Sequence, residues 1–310
     1  MTDSTIEVPW TEEQWSRVRQ VVRDEARAAR VAGNILPLVG PLAADAYYVS
    51  AEDLIEPNVD HNGEKVSGFT VDDTGTLKLS TLQARVFLRS AQIADPQLSS
   101  ALTAFRRAAN VLAHLEDEIV FNGQTSTSTG MAPRQSPGGR ALSVGGRAEV
   151  EGGQEIQGLA GGFIDYPVPD NLGEKLVSEV SHATGELEAR FHPGPFACVL
   201  GHEYFQAIQT PNNSLVLPQD RILPFLAGGP LARCSSLSPS VGLVIALAGA
   251  PIDLVMATEM TVEFLQTTAS AWSVFRVYEK MVLRIKQADA IEQLKPPTTP
   301  RVRPRRRSRK

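Results

Sequence analysis

Apolar positions near the start of the chain recur at helical spacing. Trp15, Val18, Val22, Ala26 and Ala29 fall on one stripe, with charged residues on the other face. The stripe has its own start signal. Thr11-Glu12-Glu13-Gln14 is a capping box, with Thr11 as N-cap and Gln14 at N3, and Trp10 and Trp15 occupy the two positions of a hydrophobic staple. Glu12 and Glu13 suit the positive helix start, and Arg23, Arg27 and Arg30 suit its end. The helix is expected to stop near Ala32-Gly33. Pro37, Gly40 and Pro41 then break the chain, and residues 46–88 read as extended. Tyr47-Tyr48-Val49, Val66–Val71 and Leu77–Leu88 are strand-like, with turn signals at Asn58–Gly63 and Asp72–Gly75. The pattern predicts a long two-stranded arm, which has little of its own to pack against.

Helical spacing returns at Leu98, Leu102, Phe105, Ala109, Leu112 and Ile119, after Asp95 as N-cap and Pro96 at N1. This predicts a helix from about Pro96 to Phe121, ended by Gly123. Residues 124–170 change character. Gly-Gly pairs recur seven residues apart at 138–139, 145–146 and 152–153, and no phosphate-binding glycine motif accompanies them, so a surface loop or short irregular hairpins are expected. Beyond it, helices are predicted at Gly173–Arg190, Glu203–Ile208 and Pro218–Leu226, with Pro211–Ser214 as a turn. Phe196–Leu200 and Gly242–Ala248 are continuous apolar runs, Ile252–Ala257 is apolar except for Asp253, and all three predict buried strands. Thr261–Gln266 and Val274–Ile285 are extended, β-branched runs.

With 310 residues, 42% of them hydrophobic, the chain can bury a large core, as one unit or as two sub-domains. Its net charge of −5 hides an asymmetry. Residues 295–310 hold eight Lys and Arg and no acid, so setting them aside takes residues 1–294 from −5 to −13. Such a tail could bind nucleic acid; a solvated terminus is the simpler expectation. Cys198 and Cys234 form no disulfide framework and suit a reducing compartment. No signal peptide is visible, and the longest apolar run, Val241–Ile252, is too short to span a bilayer and is followed by Asp253. A soluble, cytoplasmic protein is expected.

Candidate chemistry is thin. His114 and Glu118 stand at i, i+4 beside Glu116 and Asp117, a spacing that can ligate a metal, but no E-x-x-H or H-E-x-x-H partner occurs, and a solvated or interface face fits better. His192, Cys198 and His202 are separated by a strand that aims Cys198 into the core. No motif assembles a nucleophile, base and oxyanion donors. No catalytic residue, metal ligand or cofactor is therefore assigned.

The order of elements, with several local motifs, resembles the encapsulins, shell proteins with the tailed-phage major capsid fold. Glu13-Gln14-Trp15 followed by Gly40-Pro41 resembles the encapsulin N-terminus. His114 to Gly123 (HLEDEIVFNG) is similar to its E-D-x-x-I-F-x-G signature, and Gly194 to Leu200 (GPFACVL) to its G-P-[FY]-x-x-V-L strand. Asp253 to Leu265 and Phe275 to Lys280 resemble the two stretches that follow, so the likeness covers most of residues 10–291.

The resemblance implies an α+β capsid-like fold. Residues 1–45 would form a lumen-facing helix and arm, and 46–88 an extended β-hairpin. Residues 89–130 with 256–294 would form a peripheral domain with a long spine helix. Residues 131–255 would form an axial domain, with 131–165 as a Gly-rich insertion and 295–310 as a basic tail. It implies a self-assembling icosahedral shell, a homo-oligomer of 60 or 180 subunits without catalysis, that encloses a cargo protein carrying a C-terminal targeting peptide. Neither a membrane nor nucleic acid is an expected partner. Where such shells often carry charged residues, this chain has Ala32-Gly33-Asn34-Ile35-Leu36-Pro37, so Val31, Ile35, Leu36 and Pro37 are the candidate cargo-binding residues. Family topology places Thr210, Pro211, Asn212, Asn213 and Ser214 around the five-fold axis as an uncharged pore lining. The competing readings are a phage or prophage capsid protein and a peptidase- or bacteriocin-like enzyme.

Overall fold

The computed structural model describes residues 8–43, 45–56, 58–61, 64–124, 147–163, 171–211 and 216–295. The elements in chain order are α1 (Glu12–Ala29), α2 (Ala32–Ile35), β1 (Leu38–Val39), β2 (Tyr48–Ser50), β3 (Asp53–Ile55), β4 (Asn58–His61), β5 (Glu64–Ser67), β6 (Thr70–Asp72), β7 (Thr76–Lys78) and β8 (Ser80–Arg89). They continue with α3 (Ser90–Ile93), α4 (Ser99–Asn122), β9 (Glu149–Gly152), α5 (Leu172–Ala189), β10 (Phe196–Leu200), α6 (His202–Gln209) and α7 (Pro218–Ile222). The last are β11 (Leu231–Arg233), β12 (Gly242–Ala246), β13 (Ile252–Thr267), β14 (Trp272–Ile285) and β15 (Ile291–Gln293).

A five-stranded sheet in the order β1-β13-β14-β8-β9 is backed by α1 and α4. Its long hairpin, β13 and β14, joins into one strand the runs 252–257 and 261–266 that the sequence pattern separated. α1 begins as expected, with Gln14 N–H on Thr11 Oγ1 at 3.2 Å and Thr11 N–H on Gln14 Oε1 at 3.0 Å. The staple pair, Trp10 and Trp15, meets edge-on at 5.0 Å, and Phe275 of β14 stacks on Trp10, also at 5.0 Å. One aromatic cluster thus pins the helix start to the sheet.

α4 starts three residues later than its Asp-Pro signal predicts. Asp95 accepts from Gln97 N at 3.0 Å and Ser99 N at 2.9 Å, so its carboxylate holds a turn before the helix as well as the first helical N–H. Leu98, buried in a left-handed backbone conformation (φ 53°), separates the two. The helix ends at Gly123 as expected.

A four-stranded sheet, β11-β10-β12-β15, joins two cores. On β10, Ala197 and Val199 face the main core while Phe196, Cys198 and Leu200 face a second core under α5, α6 and α7. On β12, Leu243 and Ile245 take the first side and Val244 and Ala246 the second. Burial on both faces explains why these strands read as unbroken apolar runs.

The arm is an antiparallel hairpin broken into three two-stranded ladders, β2·β7, β3·β6 and β4·β5. Asn58–His61, expected as a turn, is strand β4. Asp72–Gly75 turns, but within one side of the arm, where Asp72 Oδ1 accepts from Thr74 N at 3.0 Å. Residues 125–146 of the Gly-rich stretch and the tail from 296 on lie outside the described residues, as do 212–215.

Candidate functional site

Three elements meet where α1 ends. Arg30 closes the helix, its N–H on Ala26 O at 3.0 Å, and its guanidinium is only 11% exposed. It lies 3.5 Å from Glu116 of α4 and 3.4 Å from Glu279 of β14, both carboxyls fully buried. Burial pushes both acids up, and Glu279 is raised further by the neighbouring Glu116. Arg30, the Glu279 carboxyl and the Gly33 backbone N–H act against burial at Glu116, whereas at Glu279 the Glu116 carboxyl acts with it.

Beside them, Asp117 caps α2. It accepts from Ala32 N at 2.7 Å and Val31 N at 2.9 Å. Burial nevertheless pushes its carboxyl up to about 7 against these backbone donors. The segment HLEDE, expected on a solvated or interface face, is therefore largely internal: Glu116, Asp117 and Glu118 are all buried. The physical reason is position. α4 is covered on most sides in its C-terminal half, so polar residues there must face partners inside the protein.

On the outer side of Arg30 a cleft of about 120 Å³ opens between α1 and the sheet. Arg23, Arg27 and Arg30 form one wall, and Met256, Glu259 and Met260 of β13 the other. β13 loses its regular register against β14 between Met256 and Thr261, and such a bulge re-aims side chains toward the cleft. Gly40 (φ 132°) closes one end. A Cβ there would come within 2.1 Å of Met256 O, so only glycine permits this approach.

A second charged cluster anchors the arm. Asp253, 1% exposed, receives Arg284 through two bonds of 2.9 and 2.8 Å and Lys286 at 3.0 Å. Arg284 also pairs with Glu52 at 2.5 Å, a residue held at φ 57° at the arm's base, and Leu54 N donates to Lys286 O at 3.1 Å. Sequence reasoning missed both clusters. The available signals were Asp253 amid apolar β-strand residues and three acids late in an apolar helix.

None of the candidate cargo residues Val31, Ile35, Leu36 and Pro37 lines the cleft beside Arg30, although Asn34 and Leu38 on either side of Ile35–Pro37 do. Val31 and Ile35 are half-buried and pack on the main core. Leu36 is 4% exposed and belongs to that core, so it offers little surface; Pro37 accepts from Leu254 N at 2.9 Å. Of the candidate pore residues, Thr210 and Pro211 follow α6 and are exposed, with Thr210 Oγ1 donating to Gln206 O at 2.8 Å. Asn212, Asn213 and Ser214 lie outside the described residues. Cys198 is sealed in the second core and its thiol is pushed up to about 12 by burial, whereas His202 is exposed. Among the described residues no group of three His, Cys, Asp or Glu side chains could hold a metal, and no helix is long and apolar enough to cross a membrane.

The profile of the Linocin_M18 family, described as "Encapsulating protein for peroxidase", matches residues 5–151 and 147–282. The chain belongs to this encapsulin family. It is 25% identical over 293 residues to the type 1 encapsulin shell protein EncA of Myxococcus xanthus (strain DK1622), covering 92% of this chain and 93% of that protein. The fold is similar to the virus-like particle protein from Pyrococcus furiosus, with a TM-score of 0.55 at 14% identity over 91% of this chain and all of that one. It is also similar to the capsid of Myoviridae Phage XM1, with a TM-score of 0.55 at 14% identity over 84% of this chain and 89% of the other. The fold is thus the capsid-like α+β fold. As an encapsulin, the chain is a nanocompartment shell subunit whose role is structural; the enzymes of this family's compartments are separate cargo proteins.

Proposed function

We propose that this encapsulin chain closes with copies of itself into an icosahedral shell of 60 or 180 subunits in the cytoplasm, around a cargo protein held by a C-terminal targeting peptide. The arm carries the reading. Its three ladders each pair only with themselves, and Leu54, Ile55, Phe69 (77% exposed) and Val71 are open to solvent. Its base is held by Arg284 and Lys286, but an isolated two-stranded ribbon is marginal in water, so the exposed apolar side chains farther along call for a covering surface. A neighbouring subunit supplies it, through a heterologous contact repeated until the shell closes. Residues 89–130 with 256–294 form the peripheral region of each subunit and 131–255 the axial region. The α1 face, with Val31, Ile35 and Pro37, turns to the lumen and receives the peptide. The loop Thr210 to Ser214 rings the five-fold axis as a neutral pore.

Size-exclusion chromatography with electron microscopy tests this. With a 33.5 kDa chain, about sixty copies give particles of roughly 2 MDa, and three times that number about 6 MDa. Monodisperse shells without nucleic acid are expected. A persistent monomer would refute shell assembly, and particles filled with nucleic acid would favour a capsid role.

A further inference from the structure

We infer that the cleft between α1 and β13 takes an acidic segment of the cargo: one apolar side chain seated against Met256 and Met260, flanked by carboxylates that pair with Arg23 and Arg27. The inference rests on the shell reading above and specifies the chemistry of its docking segment. The size fits one side chain, since a cleft of about 120 Å³ is close to the engineered cavity of roughly 150 Å³ that holds a benzene ring. Methionine suits such a seat because its unbranched, polarizable chain adapts to different apolar groups.

The charge pattern sets the flanks. Arg23, Arg27 and Arg30 lie four and then three residues apart, so they line one face of α1. Arg30 is committed inward to Glu116 and Glu279, although its buried Nε finds no acceptor. Arg23 and Arg27 are exposed, line the cleft and have no ion-pair partner among the described residues. On the opposite wall only Glu259 is charged, which leaves the lining positive. A purely apolar segment would leave both guanidinium groups unused, and a basic one would meet them as like charges. Two partly exposed ion pairs correspond to about a tenfold gain in affinity over a neutral segment. That gain should vanish in high salt, where the screening length falls to about 3 Å at 1 M.

The test uses the full chain co-expressed with a fluorescent reporter protein. The reporter bears one of three short C-terminal tails with the same central Leu and with Glu, Ser or Lys on either side. Particles are checked by electron microscopy, and reporter per shell is measured by absorbance. The Glu tail is expected to load about tenfold better than the Ser tail, and the Lys tail least. In the Arg23→Glu/Arg27→Glu variant the order should invert. Glu259→Lys, on the other wall, should improve loading of the Glu tail. Equal or better loading of the Lys tail on unaltered shells, or an unchanged order in the double variant, overturns the inference. Intact shells that load none of the tails also overturn it while leaving the shell reading in place. A lack of particles in every arm would remove the shell reading and this inference together.

Discussion

Asp117→Asn removes one titrating group from the joint between α1, α4 and β14 while keeping an oxygen to accept from Val31 N and Ala32 N. Burial raises the Asp117 carboxyl from 3.8 to about 7. A raised acid binds its proton more tightly in the folded protein. Below about 3.8 both states are protonated and nothing is lost. As pH rises the unfolded chain ionises first, and folding stability falls until the folded carboxyl ionises near 7. At 1.36 kcal/mol per pH unit, the loss is about 4 kcal/mol in all, with about 3 kcal/mol of it between pH 5 and pH 8.

Glu116 and Glu279 face the same joint and are raised too, so they add losses of the same sign; Arg30 opposes them, and the Cys234 thiol, pushed up to about 12, stays neutral throughout. The assay is thermal unfolding of assembled particles from pH 5 to pH 8, at fixed salt and scan rate because shells unfold irreversibly. The unaltered protein should lose Tm across this range. The Asn variant should lose less, by on the order of 6 °C at about 2 °C per kcal/mol for a chain of this size. Parallel Tm–pH curves for the two proteins would refute the assignment of a titrating carboxyl at residue 117.

Three further outcomes are expected. Arg284→Met leaves Asp253 buried with Lys286 alone and should cost about 3–5 kcal/mol by denaturant unfolding, whereas Asp253→Leu combined with Arg284→Met should recover most of it; an additive double variant would contradict this. Replacing Asn58–Gly75 by a short linker should abolish shells yet leave a folded, soluble chain by circular dichroism, because β4 and β5 pair with each other and β6 pairs only with β3 of the same arm; normal particles would exclude the arm from assembly. Asn212→Asp with Asn213→Asp should favour entry of cationic over anionic dyes into intact shells, and unchanged rates for both would place the pore elsewhere.

What the sequence made legible is what short-range chemistry decides. The Thr11 to Gln14 box and the Trp10–Trp15 staple specify where α1 begins, and each needs only residues within one helical turn. The apolar runs at β10 and β12 announced burial on both faces because every position in them is covered. Features that depend on partners far along the chain were not legible. Asp95 looked like a simple N-cap because nothing local showed that its second oxygen holds a turn. Glu116 looked solvated because Arg30 and Glu279 lie 86 and 163 positions away in a chain read locally. The cargo candidates were chosen for their apolar character, and none of them lines the cleft. The same character put Leu36 into the core, and the exposed charges that line the cleft, Arg23 and Arg27, were read only as cations suited to a helix end.

The end of α1 therefore has two sides with different chemistry. Inward, Arg30 balances a carboxyl pair that cannot carry two negative charges at the cost of burial alone, and Asp117 fixes the chain as it enters α2. Outward, Arg23 and Arg27 meet solvent on the same helix face. Because Arg30 contributes to both sides, a substitution at that residue mixes a packing defect with any loss of docking. Arg23 and Arg27 are exposed, so reversing their charge leaves the buried joint intact and alters only what the cleft attracts. Stability against pH reports the inner side, cargo loading against tail charge reports the outer one, and the two measurements separate the helix as a structural strut from the helix as a docking wall.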